Sequence, residues 1–384
     1  MKKILINASN LHVGGGIQVA ASFIFEFSKM LEEFSNFDIY IYASTEVNKN
    51  LVLQGVNVKI LNSYTVLDVN GLEALIPSVS RKFKGFDLIF TLFGPFYSLI
   101  TAPVHIVGFA QAWIIYPNND CYSMLSFVKR IKTKLIYWTK SHFFKLANEL
   151  VVELDHVKHG VITQLGVSPD KVHVVHNCIS SIYFYESKWQ SLVINKFAGF
   201  IRLGYLGRNY IHKNTALFPM IVTELEQIHG IKSRFYVTFT EQEWAACTPE
   251  FRSVCINVGP LTVAQCPSFY QAIDGVVFPS LLECFSATPL EAMVMEKPLF
   301  ASDRAFNRDI CGPYAHYFDP LSATSAAQSI AKIFNLTAPN PDALRAARQH
   351  ALQFSNSRKR AEKYLALLVS KVNQPHTPKK PSLV

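Results

Sequence analysis

Two glutamates flank seven residues in the stretch Leu281-Leu282-Glu283-Cys284-Phe285-Ser286-Ala287-Thr288-Pro289-Leu290-Glu291-Ala292-Met293, directly after an apolar run ending at Pro279-Ser280. Glu283 falls in a post-strand loop beside Phe285, where desolvating a carboxylate is costly unless something binds it; sugar hydroxyls are suitable donors. Glu291 has a plain structural account, because Thr288 as N-cap, Pro289 at N1 and Glu291 at N3 spell a capping box. A second cluster, Gly207-Arg208-Asn209-Tyr210-Ile211-His212-Lys213-Asn214, also follows a strand. Arg208 and Lys213 can converge on one diphosphate, the guanidinium supplying paired donors and the ammonium a point charge. A departing nucleoside diphosphate calls for that electrostatics, and two solvated surface cations are the bland alternative. A third feature is Gly14-Gly15-Gly16, between a strand and a helix. Gly15 and Gly16 there let backbone approach a ligand and offer unpaired helix N–H groups to an anion, or they form only a tight turn. A dinucleotide motif would need Gly or Ala three beyond Gly16 and an acid ending the second strand. The chain has Val19 there and Tyr42-Ala43-Ser44-Thr45 at that strand end, so an NAD reading fails.

These residues need elements to hold them, and the pattern supplies βαβ units around parallel sheets. In the first half the spacing predicts strands at Ile4–Asn7, Phe37–Tyr42, Val56–Leu61, 87–92, 104–109, Leu150–Glu153 and Val172–Val175. A helix from about Ile17 places Ile17, Ala20, Ala21, Ile24, Phe27 and Leu31 on one face, and another ends at Gly166. The pattern restarts with strand Arg202–Gly207, helix Asn214–His229 capped by Gly230, strands Arg234–Thr240 and Cys255–Val258, helix Val263–Ile273, and strands Gly275–Pro279 and Leu299–Ser302. Periodicity lapses through Ile179–Phe200. The expected fold class is therefore α/β, with two Rossmann-like doubly wound domains, 1–185 and 195–355, facing across a cleft. A helix over 356–372 carries Ala361, Tyr364, Leu365 and Leu368 on one stripe, and a Pro- and Lys-rich flexible tail spans 373–384. Ligands of such sheets bind beyond the carboxyl ends of the strands, so the cleft is the expected site.

Bulk properties narrow the classes. At 384 residues, 49% apolar and 17% charged, the chain is long enough for two cores and unlike a disordered one. Its seven scattered cysteines lack C-x-x-C spacing and read as reduced thiols of a cytosolic protein. The apolar stretch after Met1 is too short for a signal peptide and fits a first strand. Residues 88–117 contain no Asp, Glu, Lys or Arg, but Gly94-Pro95 and Pro103 would break a spanning helix, so two buried strands are expected instead. A net charge of +9 suits anionic partners without choosing among them. His173 and His176 fall on opposite faces of a strand, no His/Asp/Cys cluster has metal spacing, and no metal is expected.

The stretch Val258–Ser302 resembles the donor-binding signature of retaining GT-B glycosyltransferases, in particular glycosyltransferase family 4 (group 1). The likeness rests on Gly259, Tyr270, Asp274, Pro279-Ser280, the pair Glu283 and Glu291, Ala292-Met293, Lys297-Pro298 and Ser302. The family also carries an Arg and a Lys where Arg208 and Lys213 stand, and its Gly-rich first loop corresponds to Gly14–Gly16. Lys171-Val172-His173-Val174-Val175-His176-Asn177 is similar to the strand closing its first domain, and the terminal helix resembles the one crossing back to that domain. The resemblance implies that Arg208 and Lys213 hold a donor diphosphate, that Glu283 touches the transferred sugar and Glu291 the ribose, and that backbone N–H groups around Phe285 and Ser286 cradle oxygens. Gly15 and Gly16 join the donor side. Two departures stand out: Ser286 where many relatives have Gly, and Gln111 in Gly108-Phe109-Ala110-Gln111-Ala112-Trp113 where many have His. Gln111 cannot take a proton but can still hydrogen-bond on the acceptor or sugar side.

The implied activity is hexosyl-type transfer from a UDP- or GDP-linked sugar to a glycan or lipid-linked acceptor hydroxyl, with retention, no cofactor and no metal. The setting it suggests is bacterial surface polysaccharide assembly, such as O-antigen, capsule or lipopolysaccharide. Residues 124–146 add Lys129, Arg130, Lys132, Lys134, Lys140 and Lys145 among Phe127, Leu135, Tyr137, Trp138, Phe143 and Phe144. Such a helix can lie on an anionic membrane surface or pack in a core with a solvated cationic face. The corresponding location is cytoplasmic, with peripheral contact at the inner membrane. Nucleic-acid modules are not found. The rival readings are a GT-B sugar-phosphate epimerase or phosphorylase, and a non-catalytic membrane-associated protein that keeps the fold alone.

Overall fold

The computed structural model describes residues 1–61, 63–98, 102–336 and 339–374. By contacts it divides into two units. The first comprises Met1–Ile115, Val128–Asn177 and the chain from Asn356 onward; the second comprises Tyr116–Phe127 and Cys178–Ser355.

In the first unit the strands are β1 (Lys2–Ala8), β2 (Phe37–Ala43), β3 (Tyr64–Val66), β4 (Leu88–Thr91), β5 (Val104–Gly108), β6 (Glu149–Val152) and β7 (Val172–Val174). They form one parallel sheet in the order β3-β2-β1-β4-β5-β6-β7. Strand order therefore reverses between β1 and β4. The helices Gly15–Ser28 and Ser357–Val372 pack on this sheet in a shared core. Phe23 lies edge-on to Phe90 at 6.1 Å and to Tyr364 at 5.4 Å. The predicted stripe of Ala361, Tyr364, Leu365 and Leu368 is buried as expected. Gly108 is required where β5 ends, because a Cβ there would come within 1.8 Å of the Leu92 carbonyl oxygen.

In the second unit the strands are β8 (Ile201–Tyr205), β9 (Ser233–Val237), β10 (Cys255–Asn257), β11 (Gly275–Phe278), β12 (Leu299–Ser302) and β13 (His316–Phe318). They run parallel in the order β10-β9-β8-β11-β12-β13, reversing between β8 and β11. Phe218 stacks on Phe235 at 3.9 Å inside its core. Both sheets are thus doubly wound and Rossmann-like, as the alternation predicts.

Several expected elements differ. The strand predicted over Val56–Leu61 is a turn, with a short 3-10 helix at Val58–Ile60 whose Lys59 N–H donates to the Asn57 side chain at 3.2 Å; the pairing strand comes later, as β3. The helix predicted from Asn214 begins at Phe218, because Asn214 is left-handed (φ 55) and cannot continue an α-helix. Gly230 (φ 68) and Gly166 (φ 67) terminate their helices as expected. Helices Ala323–Leu336 and Pro341–Leu352, and strand β13, have no counterpart among the expected elements. Residues 88–117 hold β4, β5 and a short helix at Ala112–Ile115, and no helix among the described residues is long and apolar enough to cross a membrane. Most of the predicted tail, 375–384, lies outside the described residues.

Candidate active site

Loops after the two strands at the reversal of the second sheet, β8 and β11, carry the predicted cations and Glu283, and the helix that follows the second loop carries Glu291. After β8 the chain turns at Gly207, whose N–H donates to Thr238 Oγ1 at 3.0 Å. It then runs through the short 3-10 helix Ile211–Lys213 to the left-handed Asn214. Asn214 is buried, and its amide donates to the Pro320 carbonyl at 2.7 Å, which pins this unusual backbone. The loop after β11 is tied to the first by the Leu281 N–H donating to the His212 carbonyl at 2.8 Å. A second tie is Thr288 Oγ1 donating to the Leu206 carbonyl at 3.3 Å.

Lys213 and Glu283 meet directly, Nζ to Oε1 at 2.6 Å. Their side chains are only 16% and 10% exposed, so this is a nearly dry ion pair rather than a surface contact. The ammonium also lies 5.4 Å from the centre of the Phe278 ring. The neighbouring His212 imidazole is held below its ordinary range chiefly by burial, with Lys213 adding to that effect and Glu283 opposing it.

Arg208 is placed differently. Its side chain is about half exposed, and its Nε donates to both carboxylate oxygens of Glu243, at 2.8 and 3.0 Å. No contact joins it to Lys213 or Glu283 among the described residues. Burial tends to raise the Glu243 carboxyl, but hydrogen bonds from Thr240, Arg208 and Asn209 outweigh it and hold the group below the usual carboxylate range. Glu243 is the residue that sequence reasoning missed. Thr240-Glu241-Gln242-Glu243 spells a capping box that the structure realises, yet nothing local points from it to an arginine 35 positions earlier.

Glu291 is not part of a capping box. The helix Ala287–Val294 begins two residues earlier than predicted, with Ser286 at its N-cap and no side-chain cap bond, and Thr288 is turned to Leu206 instead. Freed from that role, Glu291 accepts from the Tyr270 hydroxyl at 3.0 Å. Its carboxyl is pushed up by burial, with the Tyr270 and Tyr183 hydroxyls pulling the other way. Phe285 and Ser286 are half-buried at the entrance to the helix.

The other candidates belong to the first unit. Gly14 (φ 80) is the N-cap of helix Gly15–Ser28, at the end of the loop that follows β1 at the reversal of that sheet, and makes no side-chain cap bond. Gly15 is exposed with open space around it, whereas a Cβ on Gly16 would press on Leu11 and Phe93 at 3.4 Å. Gln111 follows β5, and its side-chain Oε1 accepts from Lys140 Nζ at 3.1 Å. Burial holds the Lys140 ammonium below its ordinary range. The described residues contain no group of three or more His, Cys, Asp and Glu placed to hold a metal ion.

Residues 254–351 match the family model for group 1 glycosyl transferases, a segment that includes Glu283 and Glu291. No curated protein sequence matches the chain. Among solved structures the fold is similar to Anabaena HepE in complex with UDP-glucose (TM-score 0.70, 14% identity, covering 96% of this chain and 100% of that one). It is similar also to a glycosyltransferase from Rickettsia africae (TM-score 0.66, 14% identity, 97% and 100%). A third similar structure is the apo form of the lipopolysaccharide outer core galactosyltransferase WaaB (TM-score 0.58, 13% identity, 97% and 100%). At such identities the likeness concerns the fold, which is that of the GT-B glycosyltransferases, and the similarity to the group 1 family model is confined to residues 254–351.

Proposed function

We propose that the protein is a retaining glycosyltransferase that moves a sugar from a nucleotide-sugar donor to an acceptor hydroxyl. The observation that carries this reading is the Lys213–Glu283 pair at the carboxyl ends of β8 and β11, where doubly wound sheets take their ligands. In this reading Lys213 and Arg208 neutralise the donor diphosphate, and the Lys213 ammonium draws off charge as the anomeric C–O bond to phosphate breaks. The acceptor oxygen bonds to the anomeric carbon from the face the diphosphate leaves, and its proton passes to a phosphate oxygen. Glu283 orients the sugar and favours the positive charge growing on its ring. Glu291 accepts from the ribose, and the uncapped amides about Phe285 and Ser286 bind oxygens. Gly15 and Gly16 would contribute backbone to the donor and Gln111 a hydrogen bond on the acceptor side. No step draws on a metal.

UDP-sugars are the first donors to test, because HepE binds UDP-glucose, with GDP-sugars second. WaaB, a lipopolysaccharide enzyme, supports surface-polysaccharide assembly as the setting. The helix Phe127–Leu146 supports work at the cytoplasmic face of an anionic membrane. It has no acidic residue and buries only Phe144, while Phe127, Val128, Ile131, Leu135 and Trp138 are exposed beside exposed lysines. Co-sedimentation with phosphatidylglycerol vesicles, lost on replacing Phe127, Leu135 and Trp138 by Ser, is the expected result; undiminished binding would remove this helix from the account.

The central test is turnover of UDP- and GDP-sugars with products resolved by mass. An acceptor lengthened by one sugar is expected, and Arg208→Ala or Glu283→Ala is expected to lower kcat by ~10²–10³ while the fold persists. An unchanged donor mass would instead indicate an epimerase, and near-wild-type activity in either variant would remove that residue from the mechanism.

A further inference from the structure

The geometry points to Glu243 as a positioning residue that aims the Arg208 guanidinium at the donor phosphates. It rests on the diphosphate role proposed for Arg208. An exposed arginine is ordinarily free to sample many rotamers, and ordering one on binding costs affinity. Arg208 is gripped from behind: only its Nε donates to Glu243, at 2.8 and 3.0 Å. Neither Nη atom has a hydrogen-bond partner among the described residues. The planar fork therefore keeps two donors open for paired bonds to an anion.

The grip is itself fixed. Glu243 Oε2 accepts from Thr240 N and Thr240 Oγ1 at 3.0 and 3.1 Å, and Oε1 accepts from Asn209 N at 3.2 Å. Asn209 is the residue after Arg208, so one carboxylate ties both the side chain and the backbone of this loop to the start of helix Glu241–Ala245. Two further bonds hold the loop. The Tyr205 hydroxyl donates to the Arg208 carbonyl at 3.1 Å, and Thr215 Oγ1 donates to Asn209 Oδ1 at 2.6 Å. A surface ion pair acting for stability alone would not need its carboxylate bonded on every side, and would contribute little.

The test is calorimetric binding of UDP and of GDP to wild type, Arg208→Ala, Glu243→Ala, Glu243→Gln, Thr240→Ala and the Arg208→Ala/Glu243→Ala double variant. Glu243→Ala and Arg208→Ala are each expected to weaken the nucleotide that binds by about tenfold, equivalent to ~1.4 kcal/mol. The double variant should bind no more weakly than Arg208→Ala, since Glu243 acts only through the arginine. Glu243→Gln keeps an acceptor for Nε and should stay within about threefold of wild type. Thr240→Ala loses both the helix cap and one of the bonds that fix the Glu243 carboxylate, so it should lower Tm and weaken binding by less than Glu243→Ala does. Wild-type affinity in Glu243→Ala, or an undiminished further loss in the Arg208→Ala background, would overturn the assignment. Unchanged affinity in Arg208→Ala, or no binding of either nucleotide to wild type, would instead overturn the diphosphate reading, and the clamp with it.

Discussion

Lys213 and Glu283 satisfy each other in a place with little water, so each would be costly to leave alone. Lys213→Ala strands a buried carboxylate and is expected to cost up to about 3 kcal/mol, well above a surface ion pair. Denaturant melts of the variant would check this; a loss no larger than that of an exposed ion pair would speak against a buried one. Much of this site is legible in the sequence, because strand-end loops and their charges are local features. Arg208, Lys213 and Glu283 are found where the spacing puts them, in loops after adjacent strands. What is not legible is partner choice across the chain. Thr288, Pro289 and Glu291 satisfy the capping-box pattern, yet the helix starts at Ala287 and the hydroxyl of Tyr270, 21 positions earlier, claims the carboxylate.

At the scale of elements, long periodic segments are readable and short ones are not. Leu299–Ser302 matches its predicted bounds and Ser357–Val372 starts within one residue of its own, whereas β3 and β13, three residues each, are too brief to show alternation. Val56–Leu61 has β-branched residues but also contains Asn57, whose side chain offers the backbone a turn in place of a ladder. One interaction between elements makes a pH prediction. At the end of β6 the buried Glu153 accepts from Asn177 at 2.7 Å, and Asn177 in turn accepts from the buried Arg360 of the last helix. Burial pushes the Glu153 carboxyl up to about 7, against the pull of Arg360 and Asn177. A carboxyl that holds its proton more tightly when folded adds stability below its unfolded value, about 4.3, and loses it as pH rises through about 7. Thermal melts should therefore show Glu153→Gln gaining on wild type between pH 5 and pH 8. A constant difference across that range would assign Glu153 a permanent charge.

For the whole molecule, the alternation of strands and helices reveals two doubly wound sheets, while the return of the last helix to the first unit is expected from the family resemblance and not from the alternation. The core of that unit takes Ala361, Tyr364, Leu365, Leu368 and Val372 from the final helix, all buried. At roughly 1.5–3 kcal/mol for each large apolar side chain, removing them would consume most of the ~5–15 kcal/mol that holds a typical domain. Truncation after Ser355 is therefore expected to give an aggregating product with broadened NMR resonances. A soluble fragment with a sharp cooperative melt would show that the first unit completes itself without that helix.

That arrangement also sets a timetable for synthesis. Phe23 and Phe90 emerge early from the ribosome, but Tyr364, the ring that covers both, is translated only after the whole of 178–355. At ~5–20 residues per second, the unfinished half waits on the order of ten seconds or more with that apolar seam open. The nascent chain thus has a built-in interval in which a chaperone has something to hold.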